Sequence, residues 1–313
     1  MGKIAFVFPG QGAQAVGMGK DAYESQPEAR RIFETADDAL GYRLSELIFN
    51  GPEAELKLTY HTQPALLTAS MAYYEMLKDS GLQADYVAGH SLGEYSALVA
   101  AGVIGFEDAV KAVRARGEFM DRAVPAGQGG MAAVLGADRG PLEELCRRVT
   151  AEVAPVELAN VNCPGQIVVS GTKAGVEAVI ERGKEAGAKR VIPLEVSGPF
   201  HSSLMKPAAE KLSAVLESIG MRPAAIPVVA NVTARPVTEA DQIRKLLVEQ
   251  VYSPVLWEDS VVWMIDQGVD TFVEIGSGSV LSGLIKKIDR SAAVHTLNSF
   301  NAVQEFVRSQ PKV

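Results

Sequence analysis

Between residues 129 and 194 the sequence changes its grain, and that change limits the folds open to the chain. The pattern there runs strand (131–135), helix (141–149), strand (156–160), strand (167–170), helix (174–186) and strand (190–194). This βαββαβ order is the ferredoxin-like signature, four strands with two helices on one face. Glycine- and proline-containing segments bracket it, 125–130 before and 197–199 after, as suits an inserted unit. Outside it, short apolar runs at 4–8, 86–88, 227–230, 271–275 and 294–297 alternate with helical periods at 28–40, 63–77, 92–101 and 107–124. That alternation specifies a mainly parallel sheet covered by helices. The sequence therefore predicts a large α/β domain from residues 1–126 and 197–313, carrying a self-contained ferredoxin-like subdomain at 127–196. A cleft between them is the place for a ligand.

Composition narrows the function classes. Thirty Lys plus Arg against 38 Asp plus Glu leave a net charge of −8, which argues against a whole-surface affinity for nucleic acid or anionic membrane. The two cysteines, Cys146 and Cys163, belong to no CxxC or Cys/His cluster, so neither a disulfide framework nor a bound metal is expected. The apolar stretch 4–8 is broken by Pro9 and Gly10, too soon for a signal peptide, and no run approaches the roughly 20 apolar residues of a membrane span. A cytoplasmic protein with no permanently bound cofactor is the expectation.

The most specific local signal is Gly89-His90-Ser91-Leu92-Gly93, a G-x-S-x-G pentapeptide between a short strand and a helix. In that setting it is a nucleophile elbow of the α/β-hydrolase-like kind, with the Ser91 hydroxyl held at a helix N-terminus and the Leu92 N–H free for an oxyanion. The bland alternative is an N-cap serine between chance glycines. A serine nucleophile needs a base, and there are four histidines: His61, His90, His201 and His295. His90 adjoins Ser91 and supports the elbow better than it deprotonates it; His61 and His295 read as structural. His201 lies in a breaker-rich loop, Ser197-Gly198-Pro199-Phe200-His201-Ser202, just after the insert, and is the expected base. No acid stands out as a third member; Glu274 at a strand end is the nearest candidate. A second loop, Pro9-Gly10-Gln11-Gly12-Ala13-Gln14-Ala15, can be forced into a dinucleotide fingerprint. That fingerprint needs a second strand ending in an acid, and the region 28–40 is helical in period. The loop reads instead as Gln11 placed beside the elbow, or as a plain turn. Arg116, four residues before Met120 on one helix face, is suited to hold a substrate carboxylate; taken alone, an arginine on a helix reads as a solvated surface residue.

Taken in order, Phe8-Pro9-Gly10-Gln11-Gly12, Gly89-His90-Ser91-Leu92-Gly93-Glu94, Arg116-Gly117 with Met120, Asn160-x-Asn162, Gly198-Pro199-Phe200-His201 and Gln250-x-x-Ser253-Pro254-Val255-x-Trp257 closely resemble the malonyl-CoA:acyl carrier protein transacylases of bacterial fatty-acid synthesis. The resemblance spans nearly the whole chain, insert included. It implies a two-step acyl transfer. Ser91, activated by His201, would take malonyl from its coenzyme A thioester and pass it to the phosphopantetheine thiol of acyl carrier protein. It also implies an oxyanion hole at Gln11 and Leu92, Arg116 on the malonyl carboxylate, the Gln250 carbonyl on the imidazole, and supporting places for His90, Met120, Asn160 and Phe200. A bulky Phe200 resembles the malonyl-type pattern. One departure is Gly276-Ser277-Gly278, where the family commonly has Gly-Pro-Gly; losing proline loosens the preset φ of that loop.

Three other readings remain. A trans-acting acyltransferase of a polyketide synthase would keep the same residues, and a serine hydrolase or thioesterase would use the same elbow with water. A non-catalytic docking protein would form no Ser91 adduct. An acidic carrier must meet this acidic chain through a local basic patch, for which Lys189-Arg190 and Lys286-Lys287 are the candidates near the cleft mouth. A monomer is expected.

Overall fold

The computed structural model describes residues 2–78 and 80–310. Its strands are β1 (Lys3–Phe8), β2 (Tyr86–Gly89), β3 (Gly129–Leu135), β4 (Val156–Cys163), β5 (Gln166–Thr172), β6 (Arg190–Pro193), β7 (Val228–Ala230), β8 (Arg235–Val237), β9 (Val255–Leu256), β10 (Val269–Ile275) and β11 (Ala293–Leu297). They form a six-stranded sheet, β11-β10-β1-β2-β7-β8, and a five-stranded sheet, β6-β3-β5-β4-β9. The first is parallel except for β8, which returns antiparallel on β7.

β1 is the centre of the first sheet. Ala5, Val7 and Phe8 are fully buried and Phe6 nearly so, the near-continuous apolar run that a strand covered on both faces requires. Its register sets Phe8 beside Gly89 of β2 and Val7 beside Glu274 of β10. The loops that leave these three strands therefore open at one edge, the carboxyl edge where open α/β sheets bind ligands.

Two helices fix that edge. Thr59–Lys78 is buried along most of its length and packs on Phe106–Arg122. Their contact depends on Gly117, where an added Cβ would lie 2.5 Å from the Tyr60 Cα. The close approach brings Arg116 against Gln63.

The second sheet has the ferredoxin-like strand order, with β3 to β6 antiparallel to their neighbours. It is not the self-contained four-stranded unit read from the sequence. β9, from the segment after the insert, adds parallel to β4 with Asn160 opposite Val255. Two residues carry no periodic signal, yet the edge of β4 has backbone groups that need partners, and β9 supplies them. The same contact ties the insert to the chain that runs on from Gln250. No helix among the described residues is long and apolar enough to cross a membrane.

Substituting Gly117→Ala forces backbone apart, because Tyr60 Cα cannot move aside as a side chain can. We expect a loss of about 1–3 kcal/mol, the usual range for overpacking, read from urea denaturation midpoints; an unchanged midpoint would contradict the helix contact.

Candidate active site

β2 ends at Gly89 and the helix Gly93–Ala100 begins four residues later, so the chain reverses within His90, Ser91 and Leu92. Ser91 sits in the left-handed region at φ +52°, which costs a non-glycine residue about 1–2 kcal/mol. Asn231, fully buried after β7, offsets this strain. Its Oδ1 accepts from the Ser91 N–H at 2.8 Å and its Nδ2 donates to the Gly89 carbonyl at 2.7 Å, bridging the two ends of the turn. The result lifts the Ser91 hydroxyl to the sheet edge.

His201 meets it there, 110 residues away in sequence, with Nε2 2.8 Å from Ser91 Oγ. Its Nδ1 lies 2.8 Å from the main-chain oxygen of Gln250. A carbonyl only accepts, so Nδ1 carries the proton and Nε2 is free to take one from serine. That carbonyl is available because Gln250 ends the helix Ala240–Gln250, and the last carbonyls of a helix lack internal partners. No carboxylate bonds to the imidazole among the described residues. Glu274 accepts from the N–H groups of Leu281 and Ser282 at 3.0 and 2.7 Å, capping the helix Val280–Ile288. Burial, and next the nearby Arg116 charge, push the His201 pKa down to about 3, so the base is held neutral.

Arg116 is 1% exposed and forms no ion pair among the described residues. Its Nη1 donates to Gln63 Oε1 at 2.6 Å, and its Nη2 donates to Gln250 Oε1 at 3.0 Å and to Ser91 Oγ at 3.2 Å. Its Nε is buried with no partner. The Glu94 carboxylate acts on Arg116 through its charge; it accepts from the Asn231 N–H at 2.9 Å and Gln250 Nε2 at 3.0 Å, and burial raises its pKa to about 7. A buried cation with free donors beside a nucleophile is a site built to receive an anion. It opens on a cleft of about 120 Å³, lined also by Gln11, Leu92, Met120, Phe200, Met131 and Asn160.

Residues 5–307 match the family described as the acyl transferase domain. The chain belongs to that family. It is 59% identical over 290 residues, 93% of this chain and 92% of the relative, to a malonyl CoA-acyl carrier protein transacylase of Bacillus subtilis (strain 168). Among solved structures it is similar to an acyl-carrier-protein-S-malonyltransferase from Bartonella henselae, with TM-score 0.95, 43% identity and coverage of 98% of this chain and 99% of that one. It is equally similar to a malonyl-transacylase in complex with its type II polyketide synthase acyl-carrier protein, at TM-score 0.95 and 43% identity, covering 98% of this chain and 100% of that one.

In this acyl transferase domain most of the residues singled out from the sequence converge on one cleft. Ser91, His201, Gln11, Leu92, Arg116, His90, Met120, Asn160 and Phe200 all line it, and Gln250 stands behind. His90 is held away from Ser91 by Asn162, whose Oδ1 is 2.8 Å from His90 Nε2. His61 lies 3.0 Å from Arg114 in a separate cluster, and His295 packs on Phe306. Ser277, where the family commonly has proline, donates to the Ala13 carbonyl at 2.7 Å, which anchors the loop that the missing proline leaves loose.

The basic doublets sit elsewhere. Lys287 Nζ donates to Gln166 Oε1 at 3.1 Å, Gln166 pairs with Leu135, and Leu135 pairs with Arg190, so both doublets meet at one end of the second sheet. That end is offset from the cleft lining along β3: Leu135 lies four residues, about 14 Å at the usual strand rise, beyond the cleft-lining Met131. The strand register, invisible in the sequence, sets this offset. Asn231, Gln63 and Thr59 carry no signal in the sequence, and Glu94 and Asn162 enter it only as members of the quoted motifs, because no motif marks a buried polar side chain whose partners are distant.

The neutral form of His201 is the one that accepts a proton, and it is lost only as pH falls through the lowered pKa of about 3. The second-order rate of Ser91 acylation by a subsaturating thioester, which reports the free protein, should therefore show no fall centred near the ordinary histidine value of about 6.5. A stopped-flow pH profile with its acid midpoint at 6.5 would contradict this environment.

Proposed function

We propose that this chain transfers malonyl from malonyl-CoA to the phosphopantetheine thiol of acyl carrier protein through a malonyl ester on Ser91. The observation that carries this reading is the buried Arg116 guanidinium bonded to Ser91 Oγ, with its charge unpaired by any carboxylate among the described residues. A donor ending in a carboxylate matches that charge; an acetyl group leaves it buried and unpaired.

In the first step His201 Nε2 takes the Ser91 proton as Oγ bonds to the thioester carbonyl carbon. The carbonyl electron pair moves to oxygen, which the Leu92 N–H and the Gln11 amide stabilise. The pair then returns, the C–S bond breaks, and the coenzyme A sulfur leaves with the proton from His201. In the second step the carrier thiol gives its proton to His201 and attacks the ester, and Ser91 leaves with that proton. The Gln250 carbonyl keeps the imidazole in the required tautomer and stabilises the imidazolium. The malonyl carboxylate also offsets the Arg116 charge that faces His201, so the base strengthens as the correct donor arrives.

Met120, Phe200, His90 and Asn160 shape the acyl pocket, and Phe200 disfavours an α-methyl by about 1–3 kcal/mol. We place the carrier near Lys189, Arg190, Lys286 and Lys287, with its flexible arm spanning the distance to the cleft. Residues 127–196 act as a small subdomain on a larger unit of 1–126 and 197–313. The protein works in the cytoplasm as a monomer and needs no bound metal. The similarity to a transacylase complexed with a polyketide carrier favours a second pathway role for the same chemistry.

Intact-mass measurement after malonyl-CoA treatment should give a malonyl adduct that is absent in Ser91→Ala, and holo acyl carrier protein should discharge it. Fast malonate release that ignores the carrier would point to a hydrolase. Arg116→Ala should lower malonyl transfer about 10²-fold, the worth of two hydrogen bonds to a charged group, while acetyl transfer falls less; an unchanged donor preference would remove Arg116 from the pocket. Reversing Lys286 and Lys287 to Glu should raise KM for the carrier and spare that for malonyl-CoA, with equal rises speaking against the docking site.

A further inference from the structure

Thr59 opens the helix Thr59–Lys78 and is 1% exposed. Its hydroxyl lies 3.1 Å from Gln63 Nε2 and 2.8 Å from Gln11 Oε1. Gln63 in turn receives Arg116 Nη1 at 2.6 Å. The direction of each bond follows from the chemistry of its donor. A guanidinium has no acceptor, so the Gln63 atom facing it must be oxygen. Gln63 Nε2 then faces Thr59, and its remaining hydrogen reaches Met120 Sδ at 3.8 Å. An amide nitrogen only donates, so Thr59 Oγ1 accepts there, and its single hydrogen has no acceptor among the described residues other than the Gln11 amide 2.8 Å away. The Gln11 atom facing Thr59 must therefore be oxygen. That leaves Gln11 Nε2, on the opposite arm of the amide, with no acceptor among the described residues, and Gln11 lines the cleft beside Leu92.

We propose that Thr59 is a positioning residue for acyl transfer, the link through which the fixed charge of Arg116 sets the Gln11 amide with its N–H groups toward the reacting carbonyl. The two orientations of an isolated amide have the same shape, so packing alone does not choose between them. The wrong one would turn a carbonyl oxygen toward the developing oxyanion. The relay Arg116–Gln63–Thr59–Gln11 removes that choice, so one arginine both holds the carboxylate end of the donor and fixes a donor at its thioester end. This rests on the proposed malonyl transfer and on Gln11 as an oxyanion donor.

The test is a double-mutant cycle on the single-turnover rate of Ser91 malonylation by malonyl-CoA, followed by quenched intact mass. Thr59→Val keeps the shape and removes the hydroxyl; Thr59→Ser keeps the hydroxyl. Removing one oxyanion donor costs about 10²–10³ in rate, and losing control of its orientation should cost about 10-fold with little change in KM. Thr59→Ser should recover most of the rate, and Thr59→Val should have no further effect in a Gln11→Ala background. If Thr59→Val does not fold, Gln63→Leu breaks the same chain and must show the same non-additivity. Multiplying factors, or a Thr59→Ser as slow as Thr59→Val, with the unmutated chain still malonylated, would overturn the relay alone. An unmutated chain that takes no malonyl would overturn the malonyl-transfer reading and the relay together.

Discussion

A guanidinium buried without a carboxylate partner among the described residues is the constraint to which the rest of this site answers. Taking such a charge out of water costs several kcal/mol even after relaxation, and neutral acceptors return only part of it. Arg116 uses three, Gln63 Oε1, Gln250 Oε1 and Ser91 Oγ. Because arginine only donates, each contact fixes the polarity of the group it meets. The Gln250 amide is thereby turned so that Nε2 faces the Ser91 carbonyl, Glu94 and Asn231. The polar groups around Ser91 are ordered outward from one charge.

That ordering has a chemical result. The same charge lowers the basicity of His201 in the free protein, and the elbow strain at Ser91 is held by Asn231, itself linked to Glu94 and Gln250. The proposed nucleophile, base and carboxylate site are thus members of one hydrogen-bonded body. The scaffold is suited to hold it. β1 and β2 end side by side, the helices bearing Gln63 and Arg116 touch at Gly117, and β9 fastens the insert near the end of the helix that supplies the Gln250 carbonyl.

Much of this was legible beforehand. The βαββαβ insert and the main helices follow from apolar period, which depends only on neighbours in sequence. Ser91 was marked by its glycines, and His201 by elimination among four histidines and by its breaker-rich loop. Arg116 was different, since its helix position alone favours a solvated surface residue and only the family resemblance placed it in the pocket. Asn231 and Thr59 were hidden for a plainer reason. A buried polar residue is identified by its partners, and theirs lie 140 and 48 residues away. β9 has no signal in the sequence because two residues have no period, and where the basic doublets lie along the second sheet is decided by strand pairing.

The sequence by itself determined the α/β class, the insert, the elbow and the choice of Ser91 and His201 as the proposed nucleophile and base, since these rest on local pattern and on residue chemistry. The tertiary structure decided what those residues face. Whether an arginine is solvated or buried, which tautomer a histidine holds and which way a glutamine amide turns depend on groups that folding alone brings within hydrogen-bond distance.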